Sequence, residues 1–172
     1  MNDLDLRPHG WSLWILPRPM RHRLLIAAAQ VAHERPLTVL DCGRQFDATV
    51  VARAARGRLE VLERLQVQRA FTCFEAARLI GLHAASPLPV LVLDLLSSFQ
   101  DENVPFEQRR HLLAGTVQAL QTLNRGAGLA VSIHPPPDTP EARWMLDQLR
   151  AAASQVLAYE APAPTASQPG LF

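Results

Sequence analysis

Short apolar runs alternate with longer amphipathic segments along most of this chain, and this alternation is the feature that most constrains its fold. The runs are brief, rich in Val, Leu and Ile, and bounded by Pro, Gly or polar residues, which is typical of buried strands. Strands are therefore predicted over residues 11–16, 37–41, 67–71, 89–96, 128–133 and 155–159.

The segments between these runs have apolar residues at helical spacing and predict helices. Thr72 and Glu75 form a capping-box pattern at the start of one helix. Asp138 and Glu141 form a second, with Pro140 in the first turn. Strands separated by helices of this length imply right-handed crossovers. We therefore expect an α/β domain with a mainly parallel sheet and helices on both faces. The predicted helices cover residues 20–34, 46–56, 59–65, 72–83, 106–124 and 138–153.

Composition fits one globular domain over residues 1–160, followed by a tail over 161–172 that is rich in Pro and Ala and predicts disorder. The net charge of +1 gives no overall field toward nucleic acid or membrane. No apolar run approaches the about 20 residues of a membrane span. The first residues lack the basic region of a signal peptide, so we expect a cytoplasmic location.

Few residues suggest a metal or cofactor. Cys42 and Cys73 lack C-x-x-C spacing and are expected to be buried free thiols. The histidines are scattered without ligand spacing, so neither a metal nor a cofactor is expected. Trp11 and Trp14 are expected in the core, with a base-stacking platform as the alternative if they are exposed.

Several local patterns occur in the order found in the RecA/Rad51-type ATPase core. Residues 37–41 resemble the strand after that family's first helix, and residues 68–72 are similar to an Arg-Ala-Phe segment of Rad51-like proteins. Residues 89–94 resemble the Walker B strand, and residues 123–133 resemble the helix-to-strand step after it. This resemblance covers about residues 11–159 and implies a RecA-like fold.

The chain departs from that family where the nucleotide would bind. All 17 basic residues are arginine, so no lysine can reach a nucleotide phosphate, and residues 17–23 also lack the glycines and the Ser/Thr of a phosphate loop. The family's catalytic glutamate would follow Asp41, where Cys42 and Gly43 stand. We expect the proline-stiffened segment to fill the place of the triphosphate. Asp94 is then a degenerate Walker B residue, and the chain is expected to be neither an enzyme nor a nucleotide-binding protein.

Two groups of arginines are candidates for contact with phosphate or DNA. Arg18, Arg21 and Arg23 lie near the start of the first helix, where anions are favoured and guanidinium groups bind phosphate bidentately. Arg109 and Arg110 begin the long helix after the loop that approaches DNA in RecA-like proteins. The alternative interpretation is a solvated helix start for the first group and a charged outer face for the second.

The end of the chain carries a candidate docking peptide. Gln168, Leu171 and Phe172 resemble the short peptide by which bacterial replication and repair proteins bind the sliding clamp. A flexible tether would deliver two apolar anchors to a pocket, with the glutamine fixing their orientation. The alternative is an arbitrary tail end, or an apolar pair that folds back onto the domain.

Together these features predict a non-catalytic RecA-like accessory protein of bacterial DNA repair or translesion synthesis. Its tail would bind the sliding clamp, and its core a DNA polymerase, a recombinase or a second copy. It resembles the RecA-like accessory of translesion-synthesis complexes. Two alternatives stay open: a RecA-like cell-division inhibitor of the DNA-damage response, and a residual nucleotide-binding enzyme. Direct DNA contact is expected to be weak, and oligomers are compatible with the sequence.

Overall fold

The computed structural model describes Leu4 and residues 6–160, and its central feature is one six-stranded sheet. The strands are β1 Ser12–Ile15, β2 Leu37–Asp41, β3 Leu65–Arg69, β4 Val90–Leu93, β5 Leu129–Ile133 and β6 Gln155–Ala158. Their order across the sheet is β3-β2-β4-β5-β1-β6, and every neighbouring pair is parallel. The predicted α/β class with a parallel sheet is confirmed.

Helices cover both faces of this sheet. They are α1 Arg21–Glu34, α2 Ala48–Ala54, α3 Leu59–Glu63, α4 Cys73–His83, α5 Phe106–Gly126 and α6 Pro140–Ala152, with 3₁₀ helices at Arg18–Met20 and Leu95–Phe99. The first three pack together through α1, and α5 packs against both α4 and α6. Parallel crossovers place helices on the two faces in this way.

The core lies in two layers, one on each face of the sheet. Because successive side chains of a strand point to opposite faces, β4 contributes to both layers. Val90 and Val92 pack in the layer beneath α4, α5 and α6, whereas Leu91 and Leu93 pack in the layer beneath α1 and α2. All four are at most 2% exposed, which is typical of a central strand of a doubly covered sheet.

Two of the predicted boundaries that differ from the structure have a clear local cause. The fourth strand was expected to reach residue 96, but it ends at Leu93 because Asp94 adopts a left-handed backbone conformation (φ 50°). The last helix is capped by Thr139 rather than Asp138, since the Thr139 hydroxyl accepts from the N–H of Ala142 at 3.2 Å. The capping box at the start of α4 is confirmed.

Several interior residues behave as the sequence predicts. Cys42 and Cys73 are buried free thiols. Trp11 and Trp14 are 2% and 1% exposed, so the alternative of a base-stacking platform is wrong. Trp14 stacks on Tyr159 with ring centroids 5.9 Å apart. Among the described residues, no helix is long and apolar enough to cross a membrane.

Candidate functional site

The segments that follow β1, β2, β4 and β5 line a cleft of about 480 Å³ at the carboxyl edge of the sheet. Arg18 and Arg21 come from the segment after β1, Gln45 from the segment after β2, Asp94 from the end of β4, and His134 from the end of β5. Carboxyl ends of parallel strands are the usual place for a ligand in open α/β sheets. This cleft is therefore the candidate functional site.

The segment between β1 and α1 leaves this cleft open. Residues 18–20 form a 3₁₀ turn closed by a hydrogen bond of 2.9 Å from the N–H of Met20 to the carbonyl of Pro17. Met20 is buried, whereas Arg18 and Arg21 are exposed at the cleft wall. The expectation that this segment fills the place of a triphosphate is therefore wrong. Arg23 is exposed on α1 but does not line the cleft.

Asp94 has the most constrained backbone in the cleft. Its φ of 50° and ψ of 55° are in the left-handed region, which is unfavourable for residues other than glycine. Its N–H donates to the Ser132 hydroxyl at 3.0 Å, and its Oδ1 accepts from the N–H of His134 at 3.1 Å. Burial raises the pKa of the Asp94 carboxyl, and the neighbouring His134 partly opposes that rise.

His134 pairs with this carboxyl through its imidazole ring. Nδ1 lies 2.9 Å from the carbonyl oxygen of Leu16, and a carbonyl only accepts, so Nδ1 carries a hydrogen. The other nitrogen, Nε2, lies 3.5 Å from Oδ2 of Asp94. That contact is attractive only when a proton sits on Nε2 or on the carboxyl group. Apart from this contact, Nε2 is buried without a hydrogen-bond partner in the described part of the chain.

Gly43 is required by the close approach of the β2 and β4 ends. A Cβ atom at this position would overlap the side chain of Asp94, including its Cβ at 2.5 Å. No larger residue fits unless Asp94 moves. Gly43 is thus a packing requirement of this site.

Asp41 is the last residue of β2, next to the place where Asp94 follows β4, but it does not line the cleft. Its side chain is fully buried, and it accepts from the N–H groups of Gly43 at 3.3 Å, Gln45 at 2.8 Å and Phe46 at 3.0 Å. Arg69 adds an ion pair at 3.4 Å. These bonds fix the loop that carries Gly43 and Gln45 to the cleft.

Cys42 has no nucleophilic role in this site. Burial raises the pKa of its thiol to about 12, and the charges of Asp41 and Asp94 act in the same direction. The thiolate is the reactive form of cysteine, so this residue is inert at neutral pH.

Arg109, a candidate for contact with phosphate or DNA, is buried rather than exposed. It is 5% exposed, and its guanidinium donates to the carbonyls of Val104 at 2.9 Å and Phe99 at 3.0 Å. It lies 3.8 Å from Glu141. The side chain therefore fixes the segment between β4 and α5. The sequence did not indicate this burial, because a charged residue in the first turn of a helix is ordinarily exposed.

Arg110 is accessible, in contrast to its neighbour. Its side chain is 44% exposed, pairs with Glu107 at 3.4 Å, and lies 4.9 Å from the ring centroid of Trp144. Its contact with DNA stays a prediction. Gln168, Leu171 and Phe172 lie outside the described residues, as does the rest of the predicted tail.

His134 is the site residue that the sequence reasoning missed, because histidines were considered only as metal ligands. Its signal was available: it directly follows a buried strand, as Asp94 does, and strand ends of a parallel sheet meet at one edge. Within the described range, no group of His, Cys, Asp and Glu could hold a metal ion.

Two solved structures share this architecture. A RadB recombinase is 14% identical, with a TM-score of 0.62 over 89% of this chain and 75% of that one. The ATP synthase subunit NeqB from Nanoarcheaum equitans is 13% identical, with a TM-score of 0.53 over 86% of this chain and 46% of that one. No protein-family model and no curated protein sequence matches the chain. The fold is RecA-like.

Proposed function

We propose that this chain is a non-catalytic RecA-like accessory protein of DNA repair or translesion synthesis, which works by binding other molecules. The observation that carries the proposal is the connection between β1 and α1. A 3₁₀ turn with Pro17 and Pro19 stands where this fold would carry a phosphate loop. Prolines lack the backbone N–H groups that bind phosphate in such a loop. The chain also has no lysine to bind the phosphates with its side chain.

The opposite wall of the cleft supports the same proposal. A magnesium-nucleotide needs a carboxylate that is free to bind the metal or its water. Asp94 already accepts from the N–H of His134 and faces its imidazole. Cys42 and Gly43 supply no general base where the family has its glutamate.

A role in DNA repair is supported by the fold shared with a protein named as a recombinase. The sliding clamp is the proposed partner of Gln168, Leu171 and Phe172, on the sequence pattern alone. The core is proposed to bind a polymerase or recombinase.

Weak contact with the DNA backbone is assigned to the exposed arginines. Arg18, Arg21 and Arg23 are exposed at the start of α1, and Arg110 is exposed at the start of α5. With a net charge of only +1, the chain has no strong field for nucleic acid, so such contact would add to protein docking rather than replace it.

Deleting residues 168–172 tests the docking role. We expect a pull-down with purified sliding clamp to recover the full chain and not the truncated one, while the circular dichroism of the two proteins agrees. Equal recovery of both proteins would overturn clamp docking through the tail.

Calorimetric titration with ATP and Mg²⁺ tests the absence of nucleotide chemistry. We expect no binding tighter than about 1 mM, because the phosphate-binding donors are missing. Micromolar binding that Arg21→Ala removes would instead establish the residual nucleotide-binding alternative.

Fluorescence anisotropy with single-stranded DNA tests the arginines. Alanine in place of Arg18, Arg21 and Arg23 together should weaken binding and lower the salt dependence by about 0.7 per lost phosphate contact. Arg150→Ala is the matched control, since it removes an exposed arginine from the end of α6. If Arg150→Ala weakened DNA binding as much as the triple substitution does, the binding would reflect general positive charge rather than a site at the start of α1.

A further inference from the structure

The charges of the chain are distributed unevenly. Residues 18–58, which supply α1 and α2, contain eight arginines and three acidic residues. Residues 84–160 contain five arginines and eight acidic residues. The net charge of +1 therefore combines a basic part and an acidic part, and the basic part attracts anions locally although the whole chain has little net charge.

The positive charge is densest where α2 ends. Arg53, Arg56 and Arg58 lie within six residues of one another, and residues 48–59 contain no acidic residue. All three arginines are exposed, and so is Arg23 on the neighbouring α1. The two helices pack against each other on one face of the sheet, so they present these side chains on the same side of the molecule. We call Arg23, Arg53, Arg56 and Arg58 the α2 arginine surface.

The fold itself makes little use of these charges. None of the four arginines forms an ion pair or a side-chain hydrogen bond in the described part of the chain. The nearest acidic residues in sequence are Asp47, which caps the start of α2, and Glu60, in the first turn of α3. Arg53 lies in the last turn of α2, where a cation compensates the helix dipole. Arg56 and Arg58 follow the helix and add charge beyond that need.

Arg56 has a backbone conformation that favours glycine. It follows Ala55, the C-cap of α2, with a φ of 52°, in the left-handed region. Glycine is the usual residue at this position after a helix, because it adopts the conformation without steric cost. A charged side chain is therefore held at a position where the backbone alone would be better served by glycine. Such conformational outliers cluster at sites that hold ligands.

The α2 arginine surface offers charge without an apolar centre. Within α1 and α2, which the structure describes in full, Ile26 is the sole large apolar residue that is exposed, at 41%. Protein interfaces have an apolar core, whereas interfaces with DNA are polar and strongly positive. Guanidinium groups also match the geometry of phosphate and bind it bidentately. These properties favour a nucleic acid over a protein as the partner.

The surface also lacks the rings that single strands require. Proteins that bind single strands combine a basic groove with aromatic side chains on which the bases stack. The sole aromatic residue of the segment 18–58 is Phe46, and it packs against the core. Charge without stacking favours the backbone of a duplex, whose bases are already stacked on one another.

The spacing of the arginines suits such a backbone. α1 and α2 begin at the same edge of the sheet, because each follows a strand of the parallel sheet. Arg23 lies in the first turn of α1 and Arg53 in the last turn of α2. Because α2 has seven residues, the two positions are separated by about 10 Å along the helices. That distance corresponds to about three base-pair steps of a duplex.

We propose that the α2 arginine surface binds the phosphate backbone of double-stranded DNA without reading its sequence. Phosphate contacts position a protein on DNA but carry no sequence information. Such binding goes beyond the proposed function, because it requires neither the tail nor a partner protein. It also lies on the other face of the sheet from α5, which follows the loop that approaches DNA in RecA-like proteins.

Fluorescence anisotropy with a labelled duplex of about twenty base pairs tests the proposal on the full chain, from about 50 mM salt upward. We expect saturable binding whose logarithmic salt dependence has a slope of about −0.9 for each arginine that contacts a phosphate. A single strand of the same sequence should bind more weakly, since no ring on this surface stacks its bases.

A triple variant locates the site. Arg53→Ala, Arg56→Gly and Arg58→Ala together should weaken duplex binding at least about tenfold and reduce the salt slope by about 0.9 for each lost contact. The matched control replaces Arg125, Arg143 and Arg150 by alanine. It removes the same charge from exposed positions in the acidic part of the chain, and it should change the affinity by less than about twofold.

Single substitutions of Arg56 separate binding from folding. Arg56→Gly should not lower the thermal unfolding temperature, because glycine suits the left-handed backbone. It should nevertheless weaken duplex binding and reduce the salt slope by about 0.9. Arg56→Lys keeps the charge and should retain most of the affinity.

Several outcomes would overturn the inference. These are no saturable binding of the duplex, equal losses in the two triple variants, or tighter binding of the single strand. If polyglutamate displaced the protein as effectively as unlabelled duplex at equal charge, an acidic protein would be the occupant instead. Loss of duplex binding on replacement of Arg18 and Arg21, with none in the α2 triple variant, would assign the contact to the mouth of the cleft.

The outcome is distinguishable from that of the proposed function. Clamp binding should be the same in the α2 triple variant and the unmodified chain, because it is assigned to residues 168–172. Absence of duplex binding with intact clamp binding would overturn only the DNA surface. Duplex binding without clamp binding would overturn only the docking role of the tail.

Discussion

Asp41 and Asp94 end neighbouring parallel strands, yet the chain uses them in opposite ways. Asp41 accepts three backbone N–H groups and an ion pair from Arg69, and its side chain is fully buried. Asp94 has a strained backbone conformation and lines the cleft, and its carboxyl group contacts the imidazole of His134. The first carboxyl group holds a loop in place, whereas the second remains available to a proton.

The difference shows that position in the fold does not decide the role of a carboxyl group. Asp41 is the last residue of β2, Asp94 directly follows β4, and both lie at the same edge of the sheet. What separates them is the number of N–H donors that converge on each side chain. The following changes test that distinction.

Asp41→Ala should have the largest effect. It leaves three N–H groups of the following loop without an acceptor, so we expect the free energy of unfolding to fall by about 3 kcal/mol or more. Urea denaturation followed by circular dichroism measures the change. Asp47→Ala, which removes a partly exposed helix cap beside the same loop, is the control and should cost less. A loss no greater than the control's would contradict a structural role for Asp41.

Gly43→Ala should cost about 2 kcal/mol, because the new methyl group overlaps Asp94. Asp94→Ala removes most of the overlapping atoms, so the double variant should recover part of the loss. A double-mutant cycle should give a coupling free energy of about 1 kcal/mol or more. Strict additivity would show that the two loops do not constrain each other.

Asp94→Asn should change how stability depends on pH. The folded-state pKa of Asp94 is raised, so the folded protein binds this proton more tightly than the unfolded chain does. The stability that the proton contributes is present below about pH 4 and is lost as the pH rises through the raised pKa. The amide group that the substitution introduces is uncharged and does not titrate in this range.

Unfolding of the Asp94→Asn variant and the unmodified chain from about pH 4 upward therefore measures this effect. The stability of the variant should improve relative to that of the unmodified chain as the pH rises. A constant difference across that range would contradict the raised pKa of Asp94.

Arg69→Ala should have the smallest effect on the Asp41 loop. The guanidinium is about half exposed, since its side-chain exposure is 49%, so its ion pair with Asp41 should contribute only about 0.5 kcal/mol. That contribution should shrink further in high salt. Thermal unfolding at two salt concentrations measures it. A loss as large as that of Asp41→Ala would mean that the ion pair, not the N–H groups, holds the loop.

The sheet could be predicted from sequence because its strands are buried on both faces. Residues 37–41 were predicted with the observed bounds of β2, since the apolar run ends in a charged residue and a turn. The strand at β3 was placed two residues late, because it is only half covered and its apolar pattern is weak. Local capping chemistry predicted the start of α4 correctly.

The site could be predicted only in part, because its contacts join distant parts of the chain. His134 lies 40 residues from Asp94 and 118 residues from Leu16, so no local pattern links them. The burial of Arg109 depends on carbonyls supplied by a preceding loop, which residue type does not reveal. Arg18 and Arg21 were found because they lie near the start of the first helix, where anions are favoured.

The place of β1 in the sheet has a consequence for biosynthesis. β1 is synthesised more than a hundred residues before its two neighbours, β5 and β6. At ordinary translation rates the wait is on the order of ten seconds. During that time Leu13 and Trp14, which are almost fully buried at the end, remain in water. We therefore expect the nascent chain to depend on holding chaperones until β5 and β6 emerge.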